Sequence, residues 1–208
     1  MIRLRPRIVP ALCVLAMAAG LCTAALAHPG VRERASGLAE RLSGRIDPDR
    51  ADEPLLAAAI FVATNERRAE HGLPPVRHHP LLGAMASRHA RRMADLSFYS
   101  HGDPYDPALA DPEARGRRAG IDNPLIAENI HDVLALRWPR RVAHSYRSLA
   151  EEVVDEWMAS EGHRANILDP RARQLGVGVA FYWRDGAWPF VKAVQDFQVI
   201  EDIELAAE

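Results

Sequence analysis

The chain has 208 residues with 26 basic and 28 acidic side chains, a formal net charge of −2, and 48% hydrophobic residues. That balance lacks the strongly basic character on which nucleic-acid binding depends, so no nucleic-acid partner is expected. It also excludes a disulfide-stapled fold, because the two cysteines, Cys13 and Cys22, both lie in the N-terminal apolar run and leave stability to a core, which about 150 residues can supply.

Arg3, Arg5 and Arg7 precede an apolar run from Ile8 to Ala27 that ends in Ala25-Leu26-Ala27 before His28. This is the pattern of a secretory signal peptide over residues 1–27, cleaved after Ala27. An uncleaved anchor is the alternative, since the run approaches the roughly 20 residues that span a bilayer. Leu21 stands before Cys22 where a lipid-anchor signal needs a small residue. Cleavage leaves a secreted or periplasmic protein with no stable membrane span.

Residues 28–51 mix charges with small side chains and read as a linker or a loosely docked helix. The domain is expected over 52–200, with a tail at 201–208. Its first helix starts at the N-cap Asp52, with Glu53 and Pro54 suited to the first turn, and stops at Gly72 and Pro74-Pro75. A second helix runs from Pro80 to Leu96, with His89 on its apolar stripe as a core histidine rather than a ligand. A short third helix covers Pro112 to Ala119.

Residues 131–147 look like an insertion that either shapes access to a site or is a surface elaboration. Ser148 and Glu151 form a capping-box pattern for the next helix, whose buried face carries Val153, Val154, Trp157 and Met158. Alternation around Val177, Val179, Phe181 and Trp183 predicts a strand, Asp185-Gly186 a hairpin turn, and Pro189 to Gln198 its partner.

Three short segments carry the chemistry. Phe98-Tyr99-Ser100-His101 closes the second helical run, Ala127-Glu128-Asn129-Ile130 sets one acid in an apolar segment, and Gly162-His163-Arg164-Ala165-Asn166-Ile167-Leu168 follows the Trp157 helix. They suggest two imidazoles and a carboxylate gathered from distant parts of one domain. With Asn65-Glu66-Arg67-Arg68, Gly176-Val177-Gly178-Val179-Ala180 and Gln195-Asp196-Phe197, they resemble in order the CAP superfamily. That family, also called the SCP domain, unites cysteine-rich secretory, antigen 5 and pathogenesis-related proteins; the likeness is to its bacterial, cysteine-poor branch, over about residues 55–198.

The resemblance implies an α+β fold, a three-layer α-β-α sandwich, with His101, Glu128 and His163 lining an open cleft. Two neutral imidazoles, His101 and His163, can hold a divalent metal such as zinc. The same trio can instead move protons, or serve as a hydrogen-bonded network without either role. Many relatives carry a second acid three residues after the helical Trp, where this chain has Ser160.

Neither Ser100 nor Ser160 has the strained turn of an attacking serine, and no catalytic residue is assigned. The resulting expectation is an exported ligand-binding or interaction module for an extracellular or envelope ligand, lipids included. Its alternative is a metal-assisted hydrolase of such material.

Overall fold

A computed structural model describes residues 37–137 and 140–205. The expected signal peptide, its cleavage after Ala27 and both cysteines fall outside the described residues. Among those described, no helix is long and apolar enough to cross a membrane.

Helix α1 (Glu53–Glu70) begins where Asp52 accepts a hydrogen bond from the Leu55 amide at 2.9 Å. Such a cap satisfies one of the free donors at a helix start. Its face of Leu55, Leu56, Ala59, Ile60 and Ala63 is buried. Near its end Arg68, fully buried, donates to the carbonyls of Pro74, Ile167 and Asp169. Asn65 pairs with both backbone groups of Val76, so side chains of α1 hold the turn that leads into the next strand.

Four strands form the main sheet in the order β1-β5-β6-β2: β1 (Arg77–His78), β2 (Ile126–Leu134), β5 (Ala172–Arg184) and β6 (Trp188–Val199). Strand β1 runs parallel to β5, and the other neighbours are antiparallel. Asp185 and Gly186 both have positive φ, 53° and 65°, as the tight β5–β6 turn requires. The small β3 (Leu136–Arg137) and β4 (Val142–Ala143) pair with each other outside this sheet.

Helix α2 (Pro80–Asp95) covers one face. It comes so close to β5 that a Cβ built on Gly176 or Gly178 would lie 2.0 Å from the α2 backbone. Ala86, Ala90, Met93 and Ala94 complete that seam against Ile130, Ala180 and Val194. His89 lies within it, fully buried, with Nε2 at 2.9 Å from the Ser100 carbonyl. Desolvation takes its pKa down to about 4, so it is a neutral core histidine.

Helices α4 (Tyr146–Ala159) and α5 (Glu161–Ile167) pack with α1 on the opposite face, giving the expected three-layer α-β-α sandwich. Trp157 is completely buried there and donates to the Ile130 carbonyl at 3.0 Å. Helix α3 (Pro112–Arg118) lies beside α2, capped by Asp111.

Several boundaries differ from the sequence reading. His131 to Leu134 are not inserted: they continue β2 in register with β6 as far as Leu134 opposite Phe190, and the extra chain shrinks to the β3–β4 hairpin. The capping box joins Ser145 and Ser148, each accepting from the other's amide, while Glu151 turns to Arg147 at 2.7 Å. Residues 42–51 pack instead of linking, with Leu42 and Ile46 buried and the Ile46 amide on the His144 carbonyl. At the other end the Ile203 amide bonds Gln174, and Leu205 bridges Ile121.

Candidate functional site

Strand alternation sends Glu128 to the α2 face of β2 and Asn129 to the other. Glu128's side chain is 1% exposed and has three polar neighbours. Arg115 of α3 donates to Oε2, and the His101 ring meets Oε1 through Nδ1 at 2.8 Å. Across the sheet, Asp196 of β6 stands directly opposite.

His101 is not at a helix end as expected. Helix α2 stops at Asp95, Ser97 takes a positive φ of 55°, and the loop carries His101 out over the β2 edge. The loop closes on itself there, since a side chain at Gly102 would meet the Ala110 carbonyl oxygen at 2.3 Å. Arg115 fixes it further by donating to the His101 carbonyl at 2.6 Å.

His163, in the segment that follows the Trp157 helix, lies in a helix of its own. Ser160 ends α4 and starts α5, so His163 is the third residue of a new helix. Helix α5 is pinned to the same sheet edge: Asn166 donates to the Glu128 carbonyl at 3.3 Å and to Asn129 Oδ1 at 2.9 Å, and Asn129 donates to the His163 carbonyl at 3.2 Å. The two asparagines thus bond each other as well as backbone. Arg164 donates to the Met158 carbonyl at 2.9 Å near the end of α4, where a cation suits the helix terminus.

The electrostatics separate the buried acids from the more accessible rings. Burial pushes the Glu128 carboxyl up to about 7, against the pull of Arg115, and pushes Asp196 well above the usual carboxylate range, with Glu128's charge adding to it. No donor among the described residues reaches either Asp196 oxygen. Two facing carboxyls in a dry site do not both ionise, so the pair keeps a proton at neutral pH. That proton belongs on Asp196, because Arg115 and His101 both favour an ionised Glu128.

A carboxylate only accepts, so Nδ1 of His101 carries the ring proton and Nε2 is left as an acceptor. The His101 side chain is 54% exposed. Its pKa is lowered by burial and then by Arg115; that of His163 is lowered by burial and then by His101. Both rings are therefore neutral at pH 7 and close enough to feel each other's charge. His131, on β2, joins them, its pKa lowered by burial and also by His163, with Glu156 and Asp132 opposing.

Arg115 and His131 were not singled out in the sequence as site residues, and Asp196 stood there only within the Gln195-Asp196-Phe197 segment, with no role assigned. Arg115 hides in a run with Arg117 and Arg118, and His131 was read as inserted chain. Asp196 had a signal: an acid in a strand whose neighbours alternate into the core. Among the described residues no group of three His, Cys, Asp or Glu side chains could hold a metal ion, so any metal here would rest on two imidazoles.

The model of the CAP, or cysteine-rich secretory protein, family matches residues 61–197. The chain belongs to that family. A relative, the uncharacterized protein YkwD of Bacillus subtilis (strain 168), is 31% identical over 119 residues, which is 57% of this chain and 40% of that protein. The CAP chain thus spans about two fifths of the length of that relative.

Among solved structures, an extracellular protein with an SCP domain from Bacillus anthracis str. Ames is 27% identical, with a TM-score of 0.53, over 76% of this chain and 45% of that one. An outer surface protein from Borrelia burgdorferi shares the fold at 12% identity and a TM-score of 0.51, over 76% of this chain and 98% of its own.

Proposed function

We propose that this CAP protein is an exported binding module whose cleft takes its ligand on the neutral imidazoles of His101 and His163. The observation that carries the reading is the His101–Glu128 contact at 2.8 Å, which ties Nδ1 and leaves Nε2 as the acceptor of a half-exposed ring. A buried acid behind an exposed imidazole is the arrangement that orients metal-binding and ligand-binding histidines. Export is supported by the signal-peptide pattern of residues 1–27 and by the extracellular relative from Bacillus anthracis.

The ligand class that suits this donor set best is a divalent transition metal such as zinc, alone or bridging to an extracellular or envelope molecule. His101 and His163 would hold it, and the lowered pKa of both rings favours the unprotonated form that ligation needs. Calorimetric titration of the untagged protein with zinc chloride at pH 7.5 tests this. One saturable equivalent, lost in the His101→Ala, His163→Ala double variant, supports the reading; equal binding by that variant, or none by the parent, removes it.

A second reading, a hydrolase of envelope or extracellular material, draws on the same contact. An imidazole backed by a buried carboxylate is a general base in form. It still lacks a nucleophile, and Ser160 stands where many relatives carry a second acid.

A further inference from the structure

Helices α2 and α3 leave a cavity of about 240 Å³ whose lining includes Arg115 but neither His101 nor His163. Four arginines line it, Arg88 and Arg92 from α2 and Arg115 and Arg118 from α3, over an apolar surface that includes Met85 and Leu109. Two of the four are already answered: Arg92 by Asp103, and Arg115 by Glu128. No carboxylate among the described residues pairs with Arg88 or Arg118, both exposed at the rim. Two cations without counter-charges thus converge on a concave surface of mixed apolar and basic character.

The wall carries further unmet demand. Arg115 and His89 are each more than nine-tenths buried, and Arg115 Nε and His89 Nδ1 have no hydrogen-bond partner. Unpartnered polar groups of that kind are costly in a dry wall and mark places a polar ligand or water relieves. The volume lies just below the roughly 300 Å³ at which pockets for drug-sized molecules begin. It suits an occupant about the size of one ring bearing one charged group.

We propose that this cavity is a binding site for a small organic anion, a carboxylate on a compact apolar body, with Arg88 and Arg118 gripping the charge and Met85 and Leu109 packing the body. Since neither imidazole lines the cavity, the proposal does not depend on metal or ligand binding at His101 and His163. Guanidinium groups fit a carboxylate through paired N–H donors, and such charge-assisted bonds are about twice as strong as neutral ones.

Benzoate is the probe, followed by amide NMR titration, with benzamide as the neutral counterpart of the same shape. Saturable shifts are expected at amides of residues 84–92 and 115–119, with benzamide and the Arg88→Gln, Arg118→Gln double variant each weaker by about tenfold or more. Ala84→Phe, at an exposed α2 position lining the cavity, should remove binding by filling the space while the spectrum stays folded. The His101→Ala, His163→Ala variant should bind benzoate as the parent does. Absence of saturation, equal binding of benzamide, or undiminished binding by the arginine variant overturns the proposal.

Discussion

Glu128 and Asn129 are neighbours in one strand, yet they work in opposite environments. Glu128 faces α2 and enters a charged cluster with Arg115, His101 and Asp196, in which a carboxyl pKa rises to about 7. Asn129 faces α5 and joins a neutral network with Asn166, Gln195 and the His163 carbonyl, all at 2.9–3.2 Å. Amides satisfied pairwise hold their geometry over a wide pH range, whereas buried carboxyls change with it. One face of the strand therefore fixes the frame, and the other carries charge that can be moved.

That division can be broken first at the frame. Gly178→Val should abolish folding, a loss beyond about 5 kcal/mol, because the obstacle is α2 backbone at 2.0 Å rather than a side chain able to turn away. Circular dichroism of the expressed variant checks this. Trp157→Ala, on the opposite face, should cost about 3–5 kcal/mol in denaturant unfolding by leaving a cavity and taking from the Ile130 carbonyl one of its two side-chain donors, the other being the Tyr99 hydroxyl.

The charged side should respond less, and differently. Glu128→Gln keeps the shape but leaves Arg115, 4% exposed, without its counter-charge, at a cost of about 2 kcal/mol. Its thermal unfolding should move clearly at pH 7.5. The matching change of Asn129→Asp is predicted to introduce a pH dependence where the parent network has none.

Asp196→Asn sharpens the contrast through pH alone. The native carboxyl holds its proton well above the usual range, so between the ordinary carboxylate pKa and that raised value the folded chain binds more protons than the unfolded one. Stability contributed there is fully present at low pH and falls as pH rises, by up to about 1.4 kcal/mol per unit. The asparagine variant should flatten that slope above the ordinary carboxylate range in chemical denaturation series. The smallest effect is expected at Ser145→Ala, about 1 kcal/mol from the lost α4 cap.

Local signals made much of this frame legible. Asp52 and Gly72 bound the first helix, and Asp185-Gly186 the hairpin, because caps and tight turns act over a few residues. Strand β2 carries no such local signal, since His131 and Asp132 interrupt its apolar pattern, although Asp132 is satisfied by Tyr182 and Arg184 of β5 and Lys192 of β6. His101 and Glu128 were visible through the family resemblance. Asp196 was visible only as part of the Gln195-Asp196-Phe197 segment and Arg115 not at all, because their roles arise from a cross-strand register and from a helix packed beside the strand.

The close approach of α2 to β5 bears on how variation in this chain is to be read. Gly176 and Gly178 offer no side chain to a ligand, yet every larger residue there collides with a helix backbone. In a mutational scan scored by cleft binding alone, both would be as intolerant as His101, and only a parallel count of folded protein would separate them. Intolerance at these two positions records the distance between a helix and a sheet.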